Sequence, residues 1–256
     1  MAGLSVRKPM AFTLISTDET ADDTSVLGNT SVPMLTYELP LCERIRTFLR
    51  LESLFGEGTQ AIYGESLREA RQSLMALVTI LHILDRNDLR TDVIKELDHQ
   101  ISRLAELDKI QDVDPHKLTY ILDEMESLLD ELIQHKGRLG QSLRDQEVLS
   151  SILQRMGLIA GTCDFDLPIL QHWLGQEMST RSEDLQEWYQ QLDGIRRSIN
   201  LILKLTRESN DAQEAIAVAG FYQNNLNKQR AYQLLQVSVA RHLQVFPEIS
   251  AGKHRV

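Results

Sequence analysis

Leu234-Leu235-Gln236-Val237-Ser238-Val239-Ala240 sets apolar Leu235, Val237 and Val239 against polar Gln236 and Ser238, the period-two pattern of a half-buried strand. The long stretch before it has a different period. From about residue 40 to 209, apolar positions recur at helical spacing, most clearly across residues 88–107, where Ile94, Leu97, Ile101 and Leu104 repeat like a heptad seam. Helices followed by strands, rather than alternating with them, place the chain in the α+β class. The expectation is a mostly helical domain of about seven helices with a small antiparallel β-strand domain toward the C-terminus.

Working outward, Pro40 is expected to open the first helix, with Leu41, Ile45, Phe48 and Leu49 on one face. Ser66 with Glu69 three residues on is a capping-box pattern for a second helix. Asp114-Pro115, an N-cap and a first-turn proline, opens another. A further helix is expected over 142–156, ending at Gly157 as its C′ glycine. A short one follows Pro168, and two more flank Gly194 as the break between them. Downstream, 216–222 reads as a strand forming a hairpin with 234–240. Residues 1–33 are rich in Ser, Thr, Asp and Gly and are expected to be a disordered N-terminal extension. The helical domain is then 37–209 and the strand region 210–256.

The composition excludes several functions. Lys and Arg number 27 against 37 Asp and Glu, a net charge of −10, which argues against wrapping nucleic acid. No apolar run is long enough to cross a bilayer. Arg7 and Lys8 precede an apolar stretch that acidic residues from Asp18 to Asp23 cut short, so a secretory signal is not expected. Two lone cysteines, Cys42 and Cys163, fit a reducing, cytoplasmic compartment.

Catalytic and nucleotide-binding motifs are missing from the sequence: no G-x-x-x-x-G-K-[ST], no H-E-x-x-H, no G-x-S-x-G and no C-x-x-C. Cys163 with Asp164 and Asp166 lacks the ligand number and spacing of a metal site, and Asp166 is expected to cap the helix begun at Leu167 and Pro168. No cofactor or metal is expected. Trp173 and Trp188 read as core, and the acidic run Asp123, Glu124, Glu126, Asp130 and Glu131 as a solvated helix face. Arg46 and Arg50, four apart, form a basic stripe on the first helix. Arg86 and Arg90 flank the next turn but one, and Lys253, His254 and Arg255 cluster at the end. Such clusters suit an acidic peptide or a carboxylate, or else they are ordinary surface charge.

Four stretches resemble the ZapD family of bacterial division proteins. They are Tyr37-Glu-Leu-Pro-Leu-Cys-Glu-Arg-Ile-Arg-Thr-Phe-Leu-Arg-Leu-Glu52, Arg90-Thr-Asp-Val-Ile-Lys-Glu-Leu-Asp98, and Cys163-Asp-Phe-Asp-Leu-Pro-Ile-Leu-Gln-His-Trp-Leu174. The fourth is Gly220-Phe-Tyr-Gln-Asn224 followed by Phe246-Pro-Glu-Ile-Ser250. The resemblance implies a cytoplasmic, non-enzymatic homodimer at the mid-cell division site. It would bind the C-terminal tail of the tubulin-like protein FtsZ, bundle its protofilaments, stabilise the Z-ring and lower FtsZ GTPase activity, with no nucleic-acid or membrane partner. The family's basic tail-binding surface lands on Arg50, Arg86 and Arg255. Arg46 and Lys253 join by proximity in sequence, and Arg144 stands near Glu147, where a basic residue is expected. Relatives continue with another strand about where this chain stops at Val256. The alternative is therefore a dimeric structural homologue that has lost FtsZ binding.

Overall fold

The computed structural model describes residues 9–16, 33–86, 88–107, 114–157, 166–209, 212–225, 231–243 and 245–250. In chain order the elements are β1 (Pro9–Ser16), β2 (Met34–Pro40), α1 (Glu43–Ile62), α2 (Leu67–Arg86), α3 (Leu89–Leu107), α4 (Pro115–Gln134), α5 (Gln141–Arg144), α6 (Glu147–Arg155), α7 (Pro168–Leu174), α8 (Met178–Gln190), α9 (Asp193–Arg207), β3 (Gln213–Ile216), β4 (Tyr232–Ala240) and a single 3-10 turn, Arg241–Leu243. The α+β, mostly helical expectation holds. The chain divides into two compact units, Phe48–Ile202 and the paired segments Met1–Thr47 with Leu203–Val256.

In the helical unit the local signals act as expected at two helix starts. The Ser66 backbone N–H donates to Glu69 Oε2 at 3.1 Å and the Glu69 N–H donates to Ser66 Oγ at 3.2 Å, a closed capping box at the start of α2. Asp114 accepts from the His116 and Lys117 backbone N–H groups at the start of α4. The core is built from Phe48, Leu51 and Phe55 of α1, Leu74, Leu77 and Leu81 of α2, and their partners on later helices, all at most 2% exposed. Trp173 and Trp188 are buried and stacked, centroids 5.8 Å apart, and the Trp173 indole N–H donates to Asp184 Oδ2 at 2.9 Å. Buried Tyr189 donates to the Ser73 carbonyl at 2.8 Å, so its polar end is satisfied inside the unit.

Several helix expectations are corrected. Pro40 ends β2 instead of opening α1. The helix expected over 142–156 is two, α5 and α6, because the backbone breaks at Asp145 and Gln146. Gly157 follows the C-cap Met156 but does not adopt a left-handed φ. Asp166 does not cap α7: Leu167 is its N-cap, without a side-chain hydrogen bond. Gly194 lies inside the first turn of α9, so the break is at Gln191 and Leu192. On α3 the buried face is Val93, Glu96, Leu97 and Gln100, while Ile94, Ile101 and Leu104 are half-buried. Gln100 reaches both Glu96 Oε1 and the Ile202 carbonyl, so a polar pair sits inside this interface.

The sheet has the order β2-β4-β1-β3, every pair antiparallel. It draws strands from both ends of the chain, which corrects the expected tail over 1–33 and the boundary at 37. Pro9–Ser16 pairs with β4 from Met10↔Val239 to Ser16↔Tyr232, and Met34–Pro40 pairs with the other edge of β4. The expected hairpin is also corrected, since β3 and β4 are not neighbours. The strand expected over 216–222 ends at Ile216. A tight turn follows in which Ala219 (φ 53°) and Gly220 (φ 82°) both take left-handed backbone and the Phe221 N–H donates to the Val218 carbonyl. One face of the sheet carries the cluster Ala215, Leu235, Val237 and Val239, covered in part by Leu39, Leu41, Tyr222, Leu243 and Ile249. On β2 and α9, Arg207 forms a bidentate pair with Glu38 at 2.8 and 2.9 Å, and Gln236 donates to the same carboxylate at 2.8 Å.

Candidate partner-binding surface

Helix α1 begins directly after β2 and displays Arg46 and Arg50 one turn apart. Both are exposed. Arg46 Nε lies 3.4 Å from Glu43 Oε2, with side chains 56% and 84% exposed, a pair that water screens almost fully and that contributes at most about 1 kcal/mol. It leaves Arg46 available to a second anion. Arg50 has no hydrogen bond or ion pair among the described residues. Their neighbours Ile45, Phe48 and Leu51 are fully buried, so packing of the apolar face turns the arginine stripe outward.

Other arginines do different work. Arg144 is only 16% exposed at its side chain. Its Nη1 donates to the Leu139 carbonyl at 2.6 Å and its Nη2 to the Leu81 carbonyl at 2.9 Å, and Nε lies 3.8 Å from Asp85. A guanidinium held this way clamps α5 to α2 and has little left to offer a partner. Arg90 caps the C-terminal end of α4 through the Leu132 and Ile133 carbonyls at 2.8 and 2.9 Å. Arg181, 7% exposed, donates to the Leu174 and Gln176 carbonyls after α7. Helix ends expose unsatisfied carbonyls at the negative end of the helix dipole, and cations bind there. Counting basic residues along the sequence cannot separate these clamps from free surface charge; their partners lie from 5 to 63 positions away in the chain.

Arg86 is the last residue of α2. Its side chain, with Lys253 and Arg255, lies outside the described residues, as does Cys163. Asp166, by contrast, is described and half-buried. Cys42 is a free, half-buried thiol. Among the described residues no three His, Cys, Asp or Glu side chains are grouped to hold a metal. No described helix is long and apolar enough to cross a membrane. The acidic face of α4 is exposed at Asp123, Glu126 and Asp130, and Glu124 pairs with Arg197 at 3.1 Å.

The arrangement is one of surfaces: an exposed basic stripe at the start of α1, and other arginines tied to backbone carbonyls, as Arg90, Arg144 and Arg181 are, or to carboxylates, as Arg197 and Arg207 are. The family model described as ZapD, cell division protein, matches residues 49–256, from α1 through the last strand. That match covers most of the chain, so the chain belongs to the ZapD family, non-enzymatic cell division proteins associated with the Z-ring.

Proposed function

We propose that this protein is a homodimeric adaptor that binds the C-terminal tail of FtsZ and cross-links FtsZ protofilaments into bundles at mid-cell. Family membership over residues 49–256 carries the reading. The exposed Arg46 and Arg50 supply a basic contact for a tail that bears acidic residues, with Arg86, Lys253 and Arg255 as further candidates. A two-fold dimer presents the same site twice. Facing a polymer that displays one tail per subunit, two modest sites act with strong avidity. Bundling of this kind holds FtsZ in the assembled, slowly exchanging state and lowers its GTP turnover.

The test is co-pelleting with GTP-assembled FtsZ, with and without the FtsZ tail, across a salt series. Tail-dependent bundles that fade with salt support the reading, because exposed charge pairs weaken as the Debye length shrinks to about 8 Å near physiological salt. Arg46→Glu with Arg50→Glu should reduce co-pelleting by about tenfold or more at low salt and leave thermal unfolding nearly unchanged. Absence of co-pelleting at low salt would make the chain a structural homologue without FtsZ binding. GTP turnover that falls equally for FtsZ held unassembled would refute the bundling explanation of the lower activity.

A further inference from the structure

The order β2-β4-β1-β3 leaves β2 and β3 as the sheet's two edges among the described residues. β3 has four residues, too short to template much pairing, whereas β2 has seven. The direction of the β2 backbone groups follows from its register. The Leu41 N–H donates to the Gln233 carbonyl at 2.8 Å, and the Arg241 N–H donates to the Pro33 carbonyl at 2.9 Å, so positions 33 and 41 are hydrogen-bonded pairs with β4. Antiparallel ladders alternate, and the register is unbroken from Met34↔Ala240 to Pro40↔Leu234. Odd-numbered residues of β2 therefore face β4, and the N–H groups of Met34, Thr36 and Glu38 point away from the sheet. Pro40, which has no N–H, closes that row.

Edge strands are normally blunted by lysines, prolines, bulges or a covering segment. The first half of β2 carries none of these among the described residues, and Met34 and Leu35 are 43% and 41% exposed. Charge selects the visitor. Arg241, exposed, sits beside the start of the edge through its bond to Pro33, with exposed His242 next to it. Arg46 stands six residues past the other end, exposed and, among the described residues, paired only with exposed Glu43. The one acid on the strand, Glu38, is already paired with Arg207 and accepts a hydrogen bond from Gln236. An incoming carboxylate thus meets Arg241 beside the start of the edge, and α1, which begins three residues past its end, carries Arg46 as a second cation.

We propose that the open edge of β2 is a docking site for an extended acidic peptide, which adds to the sheet as a fifth strand through the outward N–H groups of Met34, Thr36 and Glu38. This rests on the reading that the protein binds the acidic FtsZ tail, and it names the backbone mode by which part of that tail is held. The peptide's alternate side chains pack against Leu35 and Tyr37 on one face, and its acidic residues reach Arg241 or Arg46.

The experiment titrates a labelled FtsZ-tail peptide into the full chain and three variants. Thr36→Pro removes one outward N–H and places a ring in the path of the visitor, while the bonded positions Leu35 and Tyr37 keep their ladder. Thr36→Ala removes only the 2.8 Å hydroxyl contact with Ser238. Expected are a loss of about tenfold or more for Thr36→Pro, a change within about twofold for Thr36→Ala, and a weaker, less salt-sensitive complex for Arg241→Glu. Amide hydrogen exchange of the unaltered protein gives a second measurement, in which Met34, Thr36 and Glu38 should slow on adding peptide. Unchanged affinity in a folded Thr36→Pro variant, or no slowing at those amides while the peptide binds, overturns the edge-docking proposal and leaves tail binding standing. No binding of the peptide by the unaltered protein overturns both.

Discussion

Arg144 separates a clamp from a contact residue, and its truncation is the sharpest test of how the arginines divide. Arg144→Ala removes a guanidinium that is mostly buried and donates to the Leu81 and Leu139 carbonyls. Hydrogen bonds from a charged donor are worth about 1.5–3 kcal/mol each, and part of that returns when water reaches the freed carbonyls. Loss of the buried aliphatic stem adds to the cost. The Asp85 contact at 3.8 Å, to a half-exposed carboxylate, adds little. The expected total is about 2–4 kcal/mol of stability, or a drop of about 4–16 °C in thermal midpoint for a unit of this size. Arg144→Met, which keeps the stem, should lose less than Arg144→Ala. Thermal and urea unfolding measure the stability, and co-pelleting with FtsZ, done at a temperature where the variant is folded, measures binding. Arg50→Glu should give the reverse pattern, normal unfolding and weakened binding. An Arg144→Ala protein that unfolds within about 0.5 kcal/mol of the parent but no longer co-pellets would refute the clamp and return Arg144 to the partner surface.

Burial alone would raise the Glu38 pKa, but the Arg207 hydrogen bonds and charge, with Gln236, hold it below the usual glutamate range. A carboxylate depressed in the folded state stabilises above its unfolded pKa, and that contribution is lost as pH falls through the folded value. Glu38→Gln should therefore be less stable than the parent at pH 7. The gap should shrink below the ordinary glutamate range and close at lower pH; a gap that stays constant across an acid titration would sink the assignment. Gly58→Ala should destabilise although alanine favours helices, because a Cβ there would collide with the Tyr189 hydroxyl that is bonded to Ser73. The expected cost is about 1–3 kcal/mol by urea unfolding, and a more stable variant would contradict the close approach. Asp114→Ala should cost about 1 kcal/mol through the lost N-cap of α4, read by the same assay.

Much of the helical unit was legible because its signals are local. Ser66 with Glu69, and Asp114 with Pro115, mark helix starts within four residues, and the structure closes both. The buried face of α3 departs from the heptad pattern because a buried face is chosen by neighbours: Glu96 and Gln100 go inside once Gln100 finds the Ile202 carbonyl about a hundred residues on. The N-terminal strands are not legible in the sequence for a related reason. Pro9–Ser16 alternates too briefly among Ser, Thr and Asp to read as a strand, and becomes one only between β4 and β3. The candidate surface was partly legible. Helical spacing alone put Arg46 and Arg50 on one stripe, while Arg90 and Arg144 looked equally free until their carbonyl partners were in place.

The α+β class, the helix starts that short-range hydrogen bonds specify, and the strings by which the chain resembles its family can all be read from residue order. Those features depend on contacts within a turn or two, or on the order of residues alone. Which strands are neighbours, which arginines are tied to distant carbonyls and which face outward, and that β2 is an edge strand among the described residues, are settled by the three-dimensional fold. Each of these depends on groups tens to hundreds of residues apart meeting in space, such as Arg207 with Glu38 across 169 positions, and no local pattern encodes that meeting.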